Sequence, residues 1–240
     1  MTNLQTAGQN AENIILSFDG VTFGYRDGLR KLTVLDKVSV DFYEGTLHAI
    51  IGPSGSGKTT ALALAGALDV PEEGKIIFEG KDIQKIGLSN FRRNHVALIF
   101  QNYNLITYMT AAENVEMSME ISGNRDAVKP SDRRAEAIRI LGELGITEEE
   151  CRRNVMKLSG GQQQRVAIAR AIASKARIIL ADEPTGNLDA KTAEGMTDLF
   201  RKLAHEYGRC VIVVTHSMNV AEKADSVMQI RDGALTPMES

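Results

Sequence analysis

The most informative stretch of the sequence is a glycine-rich run that could bind phosphate. Residues 52–60 read GPSGSGKTT and fit the pattern G-x-x-x-x-G-K-[ST]. Glycines let the backbone N–H groups point at phosphate oxygens, Lys58 can reach the β- and γ-phosphates, and the Thr59 hydroxyl can bind Mg²⁺. The alternative is a chance glycine-rich turn, but this run lies between an apolar strand and an Ala- and Leu-rich helix. The predicted nucleotide-binding residues are Gly52, Pro53, Ser54, Gly55, Ser56, Gly57, Lys58, Thr59 and Thr60.

Two adjacent carboxylates, Asp182 and Glu183, follow an apolar run that reads as a buried strand. A phosphate loop needs such an acidic residue at the end of a neighbouring strand to hold Mg²⁺. Asp182 is predicted to bind the metal, usually through water, and Glu183 to orient or deprotonate the attacking water. The alternative is a solvated acidic strand end. His216 ends the next apolar strand, so a parallel sheet would place it beside Glu183, within reach of a γ-phosphate.

Residues 158–162 read LSGGQ and stand immediately before a predicted helix. Ser159, Gly160 and Gly161 predict a second anion site at a helix start, with a hydroxyl and a flexible backbone aimed at phosphate. One ATP already fills the first site, so the second is spare within its own chain. We therefore expect it to bind the γ-phosphate of a nucleotide on another copy, which would make ATP join a head-to-tail pair and hydrolysis release it.

These motifs need strands and helices to position them. The apolar runs in the first 51 residues are short, and their close spacing predicts antiparallel strands at 14–18, 21–25, 34–42 and 47–51. Residues 59–68 predict a buried helix. Two more strands are predicted at 75–78 and 96–100.

The stretch from 102 to 157 changes character and is predicted to be entirely helical. Two capping boxes, at Thr110–Glu113 and Thr147–Glu150, and a third helix start at Ser131 indicate several helices. We expect a helical lobe inserted into an α/β domain.

Strands and helices alternate after this lobe. Fully buried strands are predicted at 177–181 and 210–215, a final strand at 227–230, and helices at 162–173 and 191–207. The alternation predicts a parallel sheet and an α/β fold class.

The amino-acid composition excludes several classes of protein. The 240 residues are 43% hydrophobic and 25% charged, which excludes disordered, collagen-like and disulfide-scaffold proteins. The net charge of −3 disfavours nucleic acid as the main partner. No segment approaches the roughly 20 apolar residues that span a bilayer, and no signal peptide is recognisable. Cys151 and Cys210 are expected to be reduced thiols of a cytosolic protein.

In these motifs and their order the chain resembles the ATP-binding cassette (ABC) family over nearly its whole length. GPSGSGKTT resembles the family's Walker A motif, LSGGQQQRVAIARA its signature and IILADEP its Walker B motif. Tyr25 falls where the family stacks an aromatic ring on adenine. The resemblance implies that Gln101 serves metal and catalysis as the Q-loop residue and that His216 is the switch histidine. It also implies nucleotide contacts by Gln162 and by Asp189 of the D-loop, Asn187-Leu188-Asp189.

Within the family, ADEPTGNLD, GALDVPEEGKIIFEGKDI and TAAENV are similar to the branch of lipoprotein-release, macrolide-efflux, cell-division and antimicrobial-peptide transporters (MacB/LolD-like). This branch usually carries His-x-Pro before the signature, whereas residues 154–157 read NVMK here. The resemblance implies a P-loop NTPase fold, an ABC nucleotide-binding domain over 14–240 after a flexible tail at 1–13, with an antiparallel β lobe and a helical lobe at 102–157.

The same resemblance implies a bacterial transport ATPase that uses ATP and Mg²⁺. It implies a homodimer around two Mg·ATP, a separate transmembrane permease docked on the helical lobe, and a peripheral place on the cytoplasmic face of the membrane. No nucleic acid is expected.

Two other functions share some of these motifs, and the rest of the sequence argues against each. A soluble ABC ATPase that acts on chromosomes or ribosomes would carry a long coiled coil or two cassettes, and the 100 residues between Lys58 and Leu158 accommodate neither. A small P-loop kinase has no use for LSGGQ.

Overall fold

The computed structural model describes residues 13–27, 30–122, 127–186 and 188–238, so the predicted tail, except residue 13, and Asn187 lie outside the described residues. In chain order, the strands are β1 (Ile14–Asp27), β2 (Arg30–Tyr43), β3 (Leu47–Ile51), β4 (Glu73–Phe78), β5 (Lys81–Asp82), β6 (Val96–Ile99), β7 (Ile178–Asp182), β8 (Cys210–Thr215), β9 (Ser226–Arg231) and β10 (Ala234–Pro237). The helices are α1 (Lys58–Ala65), α2 (Ile83–Ile86), α3 (Leu88–His95), α4 (Ala111–Ile121), α5 (Arg133–Glu143), α6 (Glu148–Cys151), α7 (Gly160–Ala173), α8 (Ala190–His205) and α9 (Met218–Lys223).

One sheet is parallel except at one edge and has the spatial order β10-β9-β3-β8-β7-β6. Every residue of β3 and β8 is buried, as expected for strands that are covered on both faces. The predicted α/β class is confirmed. The antiparallel prediction for 47–51 is wrong, because β3 pairs parallel with β8 and β9 although it follows β2 closely in the sequence.

The second sheet is antiparallel, with the order β2-β1-β4-β5. Residues 14–43 form two strands of 14 residues each instead of three short ones. Register shifts absorb the turn-like residues, including Gly20 with its φ of +61°. The inner face of this sheet, α1 and one face of the parallel sheet share a buried core that contains Phe42, Leu64 and Ile212.

The helices α4, α5 and α6 pack with α7 around a second core, which contains Val115, Leu141 and Val166. Both predicted capping boxes are present, at the starts of α4 and α6. They fix where these helices begin, because each satisfies two backbone N–H groups that the helix leaves open.

Two details of this region differ from the prediction. Residues 102–110 form turns and irregular backbone, so the stretch to 157 is not entirely helical. The predicted start at Ser131 is two residues early, since a 3₁₀ turn at Pro130–Asp132 precedes α5. The Ser131 hydroxyl bonds to the Asp132 carboxylate rather than to a helix N–H group.

Several short elements were not predicted: α2, α3, α9, β5 and β10. They are two to eight residues long, too short to show a clear hydrophobic period. Within the described ranges, no helix is both long enough and apolar enough to cross a bilayer.

Candidate functional site

Residues 52–57, the phosphate loop, connect β3 to α1. The Ser56 N–H donates to the Pro53 carbonyl at 3.2 Å, and Gly55 and Gly57 have φ angles of +77° and +103°, which glycine adopts without strain. No side chain of the described residues caps α1, which begins at Lys58. An uncapped helix start attracts anions, because its N–H groups and the helix dipole are both positive there.

The loop is packed so tightly that a side chain would not fit at two of its glycines. A Cβ on Gly52 would lie 2.7 Å from the Ile230 carbonyl oxygen, and one on Gly57 would lie 2.6 Å from Val34 Cγ1. Ser56 Oγ is buried and has no hydrogen-bond partner among the described residues. Such an unpaired polar atom costs free energy until a ligand pairs with it, so the loop fits a bound phosphate.

Lys58 folds back across the phosphate loop. Its Nζ donates to the carbonyl oxygens of Gly52 at 2.8 Å and Pro53 at 3.0 Å, and only 8% of the residue is exposed. These bonds hold the ammonium group against the loop backbone. A fixed positive charge is thereby available to phosphate oxygens without the entropy cost of ordering a free lysine.

Thr59 joins the start of α1 to the end of β7. Its hydroxyl donates to Asp182 Oδ1 at 3.3 Å. Burial raises the pKa of Asp182, against the opposing effects of the Thr59 bond and the Lys58 charge. A hydroxyl and a carboxylate in contact are oxygen ligands of the kind that Mg²⁺ takes together with substrate phosphates, so these residues fit that ion.

Glu183 follows β7 and is held by the end of β8. Its Oε2 accepts from the Thr215 hydroxyl at 3.1 Å and from the His216 N–H at 3.3 Å, and His216 Nδ1 lies 2.9 Å from the same oxygen. The structure thus places His216 beside Glu183, as parallel strands imply. Glu183 has a φ of +44°, which is rare outside glycine, so tertiary contacts hold this turn in place.

The acidic pair does not end the strand adjacent to β3, and this part of the prediction is wrong. β8 lies between β3 and β7. Thr59 still meets Asp182 because α1 packs across both β7 and β8. The register confirms the common edge, since Ile51 pairs with Thr215 and Asp182 with Val214.

Tyr25 lies beside the first turn of α1. Its hydroxyl and that of Thr60 share a hydrogen bond of 3.2 Å, and its ring meets Phe23 edge-on at 5.2 Å. Half of the residue, 48%, is exposed. An exposed ring next to a phosphate loop can stack on a base. A cavity of about 330 Å³ adjoins the other side of the loop, between β2 and residues 231–233.

Gln101 lies two residues beyond β6, close to the turn that carries Glu183. Its Nε2 is 3.3 Å from the point that a Cβ on Gly186 would occupy, and the Gly186 N–H donates to the Glu183 carbonyl at 3.1 Å. The loop, both carboxylates, His216 and Gln101 therefore meet at one edge of the parallel sheet.

The LSGGQ segment, residues 158–162, lies elsewhere, at the start of α7. Ser159 Oγ accepts from the Gln162 N–H at 3.4 Å and Gln162 Oε1 accepts from the Ser159 N–H at 2.9 Å, which is a third capping box. Gln162 Nε2 also donates to Glu150 Oε1 at 2.6 Å. The side chain of Gln162, predicted to contact nucleotide, is thus used to hold the helix start. Ser159 and Gly160 are exposed.

Side chains from other parts of the chain lie close to the two glycines of this segment. A Cβ on Gly161 would lie 2.7 Å from Thr192 Cγ2, and one on Gly160 would lie 3.3 Å from the Tyr103 hydroxyl. Asp189 caps α8 by accepting from the Thr192 N–H at 3.1 Å and from its hydroxyl at 2.7 Å. These bonds lower the pKa of Asp189.

A groove of about 420 Å³, here called the lobe groove, lies between α3 and β6 on one side and α4 and α7 on the other. Its apolar lining includes Leu98 and Phe100, and its charged lining consists of Arg92, Arg93 and Arg170. The walls of this groove come from four separate elements, so no local sequence pattern predicts it.

Three residues of the site were not predicted: Thr215, which bonds Glu183, and Tyr103 and Thr192, which touch the signature glycines. Only Thr215 had a recognisable signal, since it stands immediately before His216 at the same strand end. The contacts of Tyr103 and Thr192 depend on how α7 packs, which no local pattern encodes.

Comparison with known proteins gives a consistent result. The family model described as "ABC transporter" matches residues 35–186. The uncharacterised ABC transporter ATP-binding protein YclH of Bacillus subtilis is 43% identical over 94% of this chain and 97% of its own length. The macrolide export ATP-binding/permease protein MacB of Photorhabdus laumondii is 40% identical over 92% of this chain, which spans only 34% of MacB.

A solved structure has the same fold. The ATP-binding cassette MJ0796, in a dimeric post-hydrolysis state bound to ADP and Pi, superposes with a TM-score of 0.84 at 38% identity, over 94% of this chain and 100% of that one. The corresponding protein of Methanocaldococcus jannaschii is described as an uncharacterised ABC transporter ATP-binding protein and is 41% identical over 91% of this chain and 94% of its own length.

Proposed function

The chain belongs to the ABC transporter family as an ATP-binding cassette, and on that premise we propose how its residues divide the work of binding and hydrolysing ATP. The phosphate loop, Lys58 and Thr60 bind the triphosphate, and Tyr25 stacks on adenine. The observation that carries this assignment is the meeting of the uncapped α1 start, Lys58, Asp182 and Glu183 at one sheet edge.

Thr59, Asp182 and Gln101 would hold Mg²⁺. When bound, this ion neutralises charge on the β- and γ-phosphates. Asp182 is suited to the role because burial already raises its pKa, so a bound cation relieves an unfavourable buried charge.

Glu183 is the general base. The Thr215 hydroxyl, the backbone N–H of His216 and Nδ1 of His216 all contact Oε2 of Glu183. Oε1 is therefore the oxygen that accepts the proton of the attacking water. The three contacts fix the carboxylate plane, so the water is oriented as well as deprotonated. His216, with 73% of its side chain exposed, is placed to reach the γ-phosphate.

A second copy of the chain completes the site. Ser159, Gly160, Gly161 and Gln162 lie at an exposed helix start, and Asp189 caps the helix packed against them. We assign this segment to the γ-phosphate of ATP bound by the partner. The dimeric state of the related cassette MJ0796 supports the assignment.

The chain drives a separate permease from the cytoplasmic face of the membrane. One observation supports this: the MacB relatives, of which this chain covers 33–34%, combine an ATP-binding part with a permease in one protein. The permease docks in the lobe groove, whose apolar walls and arginines suit a segment with apolar and acidic side chains.

The substitution Glu183→Gln tests the chemistry. It keeps the shape and the bonds to Thr215 and His216 but removes the base, so we expect kcat to fall about 10²–10⁴-fold while MgATP produces a stable dimer. Turnover and light-scattering mass with and without MgATP measure the two effects. The exposed Glu206→Gln is the matched control and should behave as wild type. A Glu183→Gln variant that is monomeric and fully active would refute the proposal.

A further inference from the structure

Tyr103 lies where three parts of the molecule meet. It stands two residues beyond Gln101, it lines the lobe groove, and its ring packs against the buried core of α4, α5 and α7. Its hydroxyl lies 3.3 Å from the point where a side chain on Gly160 would begin. This contact reaches the start of α7, 57 residues further along the chain and directly beside the exposed Ser159.

The backbone that carries Tyr103 is fixed in an uncommon conformation. Tyr103 and Asn104 have φ angles of +61° and +45°, which few residues other than glycine adopt. The Tyr103 N–H donates to the Phe100 carbonyl at 2.9 Å, and Arg170 Nη1 donates to the Asn104 carbonyl at 2.6 Å. The loop therefore meets both ends of α7. Arg170, near the last turn of the helix, bonds the loop, and the Tyr103 hydroxyl lies against the first turn.

Two side chains lie close to Gly160 although the residue is exposed. The Tyr103 hydroxyl is 3.3 Å and Leu188 Cδ2 is 3.9 Å from the position that a Cβ on Gly160 would occupy. No hydrogen bond of the Tyr103 hydroxyl is found among the described residues, so the hydroxyl acts on Gly160 by contact alone. Without it, the start of α7 would lose one of these two contacts.

We infer that Tyr103 is a positioning residue, which holds the Ser159–Gly161 helix start in the orientation that binds ATP on a second copy. The inference rests on the proposed function, because it requires that segment to act in the dimer. Tyr103 itself touches no reacting atom. Since the same ring forms part of the lobe groove, a segment docked there would press on the ring and thereby on the signature.

Dimerisation of the Glu183→Gln protein tests this role. Into that protein we would introduce Tyr103→Ala, Tyr103→Phe and, as matched control, Tyr108→Ala in the same loop, where the side chain is 80% exposed. We expect Tyr103→Ala to weaken the MgATP-dependent dimer about tenfold, measured by analytical ultracentrifugation. Tyr108→Ala should stay within about twofold of the parent, because it leaves the contact with Gly160 intact. Tyr103→Phe lacks the hydroxyl that lies against Gly160, so it should weaken the dimer as Tyr103→Ala does.

The affinity of the monomer for ATP separates positioning from damage to the first site. A fluorescent ATP analogue should bind the Tyr103 variants as tightly as the parent, since the phosphate loop is untouched. Tyr103→Leu keeps an apolar side chain in the core but cannot reach Gly160, so it covers the case in which Tyr103→Ala fails to fold, and it should show the same weakened dimer.

The outcomes are distinct. If the Glu183→Gln parent does not dimerise with MgATP, the proposed function and this inference both fall. If the parent dimerises and Tyr103→Ala and Tyr103→Leu dimerise equally well, only this inference is overturned. If the monomeric Tyr103 variants lose their affinity for ATP, this inference is also overturned, because Tyr103 would then support the phosphate loop.

Discussion

The chain offers phosphate two helix starts, and they are built in opposite ways. The start of α1 has no side-chain cap among the described residues, and it is accompanied by a buried lysine and two carboxylates. The start of α7 is capped by its own Ser159 and Gln162 and is exposed, and Tyr103 and Thr192 of α8 lie close to its two glycines. Both carry glycines, but for different reasons.

This difference suggests separate roles: the first start binds ATP, and the second acts when two chains form a dimer. The first start has unsatisfied polar groups and the charges to bind a triphosphate by itself. The second satisfies its own N–H groups in part, so a ligand adds to it only when another surface delivers that ligand. A single chain should therefore bind ATP through the first start alone, and the second should matter only when two chains meet.

Removing a polar group at each start should give the largest contrast. Lys58→Met keeps the aliphatic stem but loses the ammonium group, and we expect MgATP to bind the monomer about 10²-fold more weakly, since hydrogen bonds to charged groups contribute about 1.5–3 kcal/mol each. Ser159→Ala should leave that affinity unchanged and weaken only the dimer. It should also cost about 1 kcal/mol of stability as a lost helix cap.

Isothermal titration of monomer with MgATP, and sedimentation of the dimer, measure these effects. Lys157→Met, a loss of charge beside the second start, is the control and should not change the affinity of the monomer. Equal losses of ATP affinity in the Lys58 and Ser159 variants would remove the distinction between the two starts.

Acid should destabilise the folded protein through His48, which lies in β3, the strand that leads to the start of α1. His48 in β3 is fully buried, its Nε2 accepts from the Tyr43 N–H at 3.0 Å, and burial lowers its pKa to about 4. The unfolded chain takes up this proton near pH 6.5, whereas the folded chain does so only near pH 4. Stability is therefore fully present above pH 6.5 and falls by about 1.4 kcal/mol per pH unit between these values.

His48→Gln can still accept from the Tyr43 N–H but does not titrate, so the dependence of unfolding free energy on pH from 6.5 to 4.5 should become less steep. Denaturant unfolding at several pH values measures it. His205→Gln, at the half-exposed end of α8, is the matched control. An unchanged slope in His48→Gln would mean that another group causes the acid sensitivity.

Alanine at one glycine of each start should give the smallest effects and the clearest difference in cause. Gly161→Ala places a Cβ against Thr192 Cγ2, and such overpacking costs about 1–3 kcal/mol. Thr192→Ser removes that methyl group and keeps the hydroxyl that bonds Asp189, so the double variant should regain most of the stability. Melting temperatures measure both.

Gly55→Ala should cost about 1–2 kcal/mol for another reason, its φ of +77°, because no described atom lies within 4 Å of the Cβ position. Thr192→Ser should therefore not restore the stability of the Gly55→Ala variant. Restoration of both variants, or of neither, would show that the two glycines are required for the same reason.

The sequence predicted which polar residues follow the apolar strands better than it predicted the order of those strands in the sheet. GPSGSGKTT, Asp182-Glu183 and His216 each follow an apolar run, and strand ends with polar residues are visible locally. Which strands are adjacent is not local: β8 enters between β3 and β7, and β3 leaves its sequence neighbours for the parallel sheet. Both choices are made by the packing of α1 and of the covering helices.

By itself the sequence determined the fold class, the capping boxes and the chemical groups offered to ATP and Mg²⁺, because these depend on residue type and short-range spacing. Only the tertiary structure decided that Thr215 bonds Glu183, that Thr192 excludes any side chain at Gly161, and that Tyr103 reaches Gly160. The physical reason is close packing. Contacts between elements far apart in the chain exist only after α7, α8 and the sheet are assembled, and no local pattern records them.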